Sequence, residues 1–142
     1  MRQLAAQGWM PFAFRHYVAC FFVKVLLLDY RRGENHFMRH LLDGDIAQNN
    51  ALWQEAASFS PLSPAQPPSF DPIAEADRLD PGGVYRDEWQ PKASSPIVDW
   101  ERQSELCREM YEEARSGQAA KRSIQEQIDS EVGQSFWEKT EA

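Results

Sequence analysis

Five prolines fall between residues 61 and 72, at Pro61, Pro64, Pro67, Pro68 and Pro72. Proline lacks the backbone N–H that helices and sheet ladders use, so residues 58–71 are read as an irregular loop or linker. Any core must therefore come from the segments on either side. Those segments show helical spacing and no alternating strand pattern, which predicts an all-α fold.

Before the prolines, residues 1–7 have helical spacing, and Gly8 breaks it just ahead of Trp9. Pro11 suits the first turn of a second helix, where its missing N–H would have been unpaired anyway. That helix is expected to run to about Tyr30 before Gly33 stops it. A third is expected over about 34–42 and a fourth over about 46–57. Beyond the prolines, Asp71-Pro72 and Asp80-Pro81 each set a capping acid before a proline at the first helical position. Short helices are expected at about 72–78 and 81–90. Asp99 caps a longer helix, for which the apolar Leu106, Met110 and Tyr111 supply the spacing and which Gly117 is placed to end. Ile124, Ile128 and Val132 recur every four residues among many charges, so 116–142 reads as a charged helical or flexible tail.

With 142 residues, 42% of them hydrophobic, the chain suffices for one modest domain. A net charge of −7 argues against a general phosphate-binding surface, because nonspecific nucleic-acid affinity comes from neutralising phosphates. The excess is uneven: six basic and five acidic residues up to Ser58 leave +1, and the remainder carries −8. Cys20 and Cys107 are too few and too far apart for a disulfide framework or a zinc site, and a reducing cytoplasm is the default. The apolar run 17–28 contains Lys24 and falls short of the roughly 20 residues a membrane span needs, so it reads as a buried helix. His36 and His40, four apart, read as a solvated or half-buried pair and not as a metal site.

The stretch that looks built for chemistry is residues 41–54, LLDGDIAQNNALWQ. Asp43 and Asp45 flank one glycine. Asp45 with Gln48 has capping-box spacing, so a helix should start at about Ile46. Asn49 and Trp53, four apart, then present an amide and an indole side by side near the acidic turn. Two acids, an amide and an indole can surround a polar heteroaromatic ligand. The same residues also make an N-cap, a solvated turn and a core tryptophan, and their spacing alone favours that plainer reading.

The wording DGD-x-A-x-NN-x-x-WQ resembles the flavin-binding core of the DNA photolyase and cryptochrome family. Met1 to Leu4, Gly8 to Met10, Arg15, Phe21, Lys24, Leu27 to Asp29, Arg32 to Glu34, Phe37-Met38, Arg78 to Pro81, Tyr85, Trp89 and Pro96 to Asp99 follow the family's order. The resemblance covers roughly residues 1–115 and only the last part of such a protein. It implies a helical fold like the carboxy-terminal half of the family's FAD-binding domain. It also implies FAD as cofactor and light-driven electron transfer to pyrimidine dimers in ultraviolet-damaged DNA, a carbon–carbon lyase reaction of DNA repair. By the same resemblance, Arg15 pairs with Asp43, Asp45 hydrogen-bonds the isoalloxazine edge, and Asn49 lies beside flavin N5. Trp53 is the nearest tryptophan of the electron-transfer chain, and Tyr30 stands where the second is expected.

Several positions depart from the family. Pro11-Phe12-Ala13 replaces a His-Asn-Arg run that contacts the lesion strand, and Glu55, expected as a buried carboxylate, replaces a tryptophan that packs on the flipped-out dimer. The segment between Trp89 and Pro96 is short. Three expectations follow from the absence of counterparts to the family's earlier residues. The chain alone should bind flavin weakly and lack the activity. The face carrying Asn49, Trp53, Trp9 and Phe12 should be open to solvent. It should self-associate or be covered by a chain supplying the missing half. A flavin-binding photosensor and a non-catalytic remnant are the alternatives.

Overall fold

In the computed structural model, residues 1–59, 69–90 and 95–115 are described. Every regular element among them is helical: α1 (Arg2–Gln7), α2 (Phe12–Cys20) continuing into a π-helical turn (Phe21–Val25), α3 (Tyr30–His40), α4 (Ile46–Ala56), α5 (Pro72–Leu79), α6 (Val84–Trp89) and α7 (Trp100–Arg115). The expected end of α7 at Gly117, the tail 116–142 and most of the proline-rich stretch lie outside the described residues.

Gly8 ends α1 in the left-handed conformation, φ 64°, and its N–H returns to the Leu4 carbonyl. The long second helix does not run unbroken to Tyr30. After Cys20 the turns widen: the Leu26 N–H donates to the Phe21 carbonyl and the Leu28 N–H to that of Phe22. Leu27 then takes φ 56°, and the Asp29 carboxylate accepts from the Arg31 N–H to cap α3. The cause lies in helical phase. A continuous α-helix would carry Asp29 onto the same face as Phe22, Val25 and Leu26, burying a carboxylate among apolar groups. The widened turn and break instead bury Leu28 beside those three residues and leave Asp29 as a cap.

Gly33 does not stop a helix; it lies inside α3, buried, where the six-membered ring of Trp53 packs directly on it. The Cβ of any other residue would sit well inside contact distance of Trp53 Cη2 and Cζ3, and 2.8 Å from Cζ2. The indole is also met edge-on by Phe22 and Phe37, with ring centroids 5.5 and 5.1 Å away. This meeting of α3, α4 and the π-helical turn is the centre of a core that also takes in Leu4, Met10, Ala19, Leu26, Leu28, Leu52 and Ala56.

The later helices close on this centre. Asp71 caps α5 through the N–H groups of Ile73 and Ala74, with Pro72 in the first turn as expected. Asp80 does not cap a helix starting at Pro81. Pro81 and Gly82 form a turn, Gly83 adopts φ 69°, and the buried Asp80 carboxylate reaches the N–H groups of Tyr85 and Arg86 instead. The Tyr17 hydroxyl donates to the Pro72 carbonyl, the Tyr85 ring stacks on Phe14 at 3.9 Å, and the Tyr111 hydroxyl donates to the Ala57 carbonyl. Cys20 and Cys107 are free, buried thiols. No helix among the described residues is long and apolar enough to cross a membrane.

On α3, His36 and His40 stack with centroids 4.1 Å apart, and His36 is half-buried. Burial first, then the nearby charge of His40, lowers the His36 imidazole from 6.5 to about 4. The fold therefore favours neutral His36. The stability this group contributes is complete above 6.5 and is lost as pH falls toward about 4.

Two outcomes are expected. Gly33→Ala gains helix propensity of about 1 kcal/mol but overpacks Trp53 by up to about 3 kcal/mol, so urea unfolding should show a net loss of about 2 kcal/mol. An unchanged midpoint would mean that the indole is not seated on α3. Urea midpoints should also fall between neutral pH and about pH 4 more steeply in the parent chain than in His36→Gln, and parallel curves would remove His36 from the account.

Candidate functional site

The acidic turn lies between α3 and α4, and Arg15 of α2 holds it. Arg15 Nη2 donates to Asp43 Oδ1 and Oδ2 at 2.9 and 2.8 Å, while Arg15 Nε donates to the Met10 carbonyl at 2.7 Å. The guanidinium thus ties the turn to the connection between α1 and α2. Arg15 is 13% exposed and Asp43 50% exposed, so the pair sits at the rim of the core, where a charge-assisted contact contributes of the order of 1 kcal/mol. A second tie is the Leu42 N–H to the Gly8 carbonyl at 2.8 Å. The Arg15–Asp43 contact is the one the family resemblance implied, and of the two partners only Arg15 is sheltered, Asp43 being exposed.

Asp45 is the N-cap of α4, with Oδ1 accepting from the Gln48 N–H at 2.8 Å. The residue is exposed, so the rest of its carboxylate faces solvent. Asn49, one turn on, is buried. Its Oδ1 accepts from Trp53 Nε1 at 3.2 Å, and its Nδ2 donates to the Glu34 carbonyl of α3 at 3.0 Å. One amide hydrogen and one lone pair remain uncommitted by these two bonds. Asn50 and Gln54 extend the staple, Asn50 Nδ2 donating to Glu34 Oε1 and Gln54 Nε2 to Asn50 Oδ1.

The expected openness of this face divides. Trp9 and Phe12 are 45% and 62% exposed, and Leu42 and Ile46 more so, giving an apolar rim around the acidic turn. Trp9 and Phe12 are thus open, as expected. Asn49 and Trp53, expected to be open, are buried at 6% and 1%, because Phe22, Phe37 and Gly33 supply the cover from within the chain. Glu55, expected as a buried carboxylate, is exposed.

Tyr30 opens α3 one helical turn before Gly33, so it lies one turn from the outer edge of the Trp53 indole. Its ring is half-buried, meets Phe59 edge-on at 5.8 Å, and has the Arg31 guanidinium 5.9 Å from its centroid. Among the described residues no three His, Cys, Asp or Glu side chains are grouped as metal ligands. Sequence reasoning missed Glu34, whose carbonyl and carboxylate anchor Asn49 and Asn50, and Met10, whose carbonyl orients Arg15. Backbone carbonyls leave no trace in residue type. Gly33 could have been found, since a glycine inside a helical pattern costs about 1 kcal/mol and asks for a packing reason.

A family model described as the FAD binding domain of DNA photolyase matches residues 1–127. The deoxyribodipyrimidine photo-lyase of Salmonella typhimurium is 44% identical over 91 residues, which are 64% of this chain and 19% of that protein. The Escherichia coli enzyme of the same name is 41% identical over 92 residues, 65% of this chain and 20% of that protein. The chain thus spans about a fifth of the length of the curated relatives it matches. Among solved structures, an archaeal photolyase from Sulfolobus tokodaii, crystallised with two FAD molecules, superposes with a TM-score of 0.71 at 30% identity. The match covers 79% of this chain and 30% of that one. With a helical fold, the tethered acidic turn and a match over residues 1–127, the chain belongs to the family of the FAD binding domain of DNA photolyase.

Proposed function

We propose that this chain forms one wall of an FAD site in a photolyase-like system for light-driven repair of pyrimidine dimers in DNA. The observation that carries the proposal is the acidic turn: Asp43 is locked by Arg15, and beside it the exposed Asp45 carboxylate is bordered by apolar Leu42 and Ile46. A flavin ring needs this combination, an acceptor for its polar edge and an apolar surface for its face. In this reading Arg15 and Asp43 set the turn, and the free side of Asp45 accepts from the ring's N–H edge. Asn49 offers its uncommitted amide hydrogen as a neutral donor. Bound FAD supplies light absorption and a one-electron carrier. Trp53 then serves as the nearest electron donor and Tyr30 as the next site outward. Tyrosine gives up an electron readily only with its phenolic proton, so Tyr30 is a slower relay than a tryptophan.

One wall does not bury a cofactor. Small-molecule sites enclose most of their ligand, so the described residues alone hold FAD weakly, and a second segment supplies the opposite wall. The rim of Trp9, Phe12, Leu42 and Ile46 is where that segment would seat; left uncovered, the rim favours self-association. Two buried free thiols suit a reducing cytoplasm. A second reading, a flavin photosensor without repair activity, is favoured by exposed Phe12 and exposed Glu55. Both stand where the family resemblance implies lesion-contacting groups, and neither offers a phosphate a positive charge.

The test is FAD titration of the purified chain, alone and mixed with a polypeptide covering the preceding part of a photolyase FAD domain. The chain alone should elute from gel filtration nearly colourless, and the mixture should retain flavin. Stoichiometric yellow colour in the lone chain would sink the one-wall reading. In the mixture, Asp45→Asn keeps a competent helix cap but removes the charge, and affinity should drop roughly tenfold. Tyr30→Trp should speed flavin photoreduction under steady light, and an unchanged rate would remove Tyr30 from the electron path.

A further inference from the structure

Lys24 is the single charge inside the apolar run 17–28. The π-helical turn leaves it half-buried, and among the described residues its ammonium has one polar partner: Lys24 Nζ donates to Cys20 Sγ at 3.7 Å. Sulfur is a weak acceptor, so this contact offsets little of what sheltering an ammonium from water costs. Cys20 closes α2 and is 2% exposed, and the two ring nitrogens of His16, one turn earlier, lie 3.9 and 3.8 Å from the same sulfur. An imidazole, a thiol and an amine therefore stand in one row at spacings of four residues. Burial raises the Cys20 thiol above its usual range, and the charge and hydrogen bond of Lys24 work against that shift. The resting group is a sheltered thiol whose sulfur already touches a nucleophilic side chain.

We propose that Cys20 and Lys24 form an oxidative modification site, at which hydrogen peroxide leads to a sulfenamide bond between the sulfur and the side-chain nitrogen. In the first step the His16 ring takes the thiol proton and the sulfur attacks peroxide. The O–O bond breaks, Cys20 becomes a sulfenic acid, and the departing hydroxide recovers the proton as water. Sulfur has lost two electrons and the peroxide has gained them. In the second step the Lys24 ammonium gives one proton to water, and its nitrogen lone pair attacks the sulfur. The S–N bond forms, the S–O bond breaks, and the oxygen leaves as water with a second proton from the nitrogen. No further oxidant is needed. Peroxide is small enough to reach a sulfur that bulkier reagents cannot, and an amine held against the sulfenic acid reacts ahead of a second peroxide molecule arriving from solution. The bond joins the end of α2 to the π-helical turn and removes the charge from the apolar run. Attack by a small thiol on the sulfur reverses it.

The test treats the full chain with dilute hydrogen peroxide, then denatures it, alkylates the remaining thiols and cuts with chymotrypsin, which cleaves after Phe21 and Phe22 between the two residues. The treated chain should yield the Cys20 and Lys24 peptides joined, at their summed mass less two hydrogens, and dithiothreitol should separate them. Fragmentation of the joined pair locates the bond at Sγ and Nζ, so the assignment does not depend on any variant folding. In Lys24→Arg, which keeps the charge and loses the nucleophilic amine, the pair should be lost completely and Cys20 should be found as sulfinic acid. In Cys107→Ser the pair should survive. A parent chain in which Cys20 stays a free thiol, goes on to sulfinic acid or pairs with Cys107 in a disulfide would overturn the proposal. So would a joined pair that persists in Lys24→Arg.

Discussion

The rest of the fold depends on the seating of the Trp53 indole on Gly33. The ring fits only because α3 presents a residue without a Cβ at that place, so α3 and α4 approach more closely than side chains otherwise permit. Asn49 can then reach the Glu34 carbonyl, and Asn50 the Glu34 carboxylate, from α4 to α3. The polar staple and the aromatic centre are thus one arrangement, because the bonds exist at the separation that the glycine sets. Phe22 and Phe37 complete the enclosure with edge-on contacts, the geometry that ring quadrupoles prefer.

A second constraint acts at the rim. Arg15 spends its fork on two targets, the Asp43 carboxylate and the Met10 carbonyl, and so joins the turn before α4 to the entry of α2. The exposed Asp45 is free to do two things at once. One oxygen ends the row of unpaired N–H groups at the start of α4, while the remainder of the carboxylate stays in water. Core and rim therefore differ: Trp53 and Asn49 are buried and held by groups of α3 and α4, whereas Asp45 and its apolar neighbours Leu42 and Ile46 are exposed.

Much of this was legible in the residues. Capping chemistry is local, so Asp45 with Gln48, Asp71 with Pro72 and the glycine after α1 announced their helix ends. The Asn49–Trp53 pairing followed from a spacing of four, and the Arg15–Asp43 pair came from the family resemblance. What was not legible depends on tertiary packing. Continuous apolarity through residues 17–28 gives no sign that the helix must change phase before Asp29, because the sign is the burial of a face known only after folding. The cover over Trp53 was missed for the same reason: the phenylalanines that supply it come from a different helix and from the π-helical turn. Asp80 misled because a proline after an aspartate normally opens a helix, whereas here two glycines allow a turn to intervene and the carboxylate reaches past it.

The π-helical turn also makes this region a counter of residues. Phe22, which faces Trp53, and Asp29, which opens α3, are separated by a segment whose length decides whether an apolar or a charged side chain meets the core. Substitutions that change size can be absorbed there by small shifts, but a change in the number of residues between them cannot, since each one turns everything beyond it by about 100°. The segment therefore tolerates drift in chemistry and not in length, as a gear tolerates a change of metal but not of tooth number.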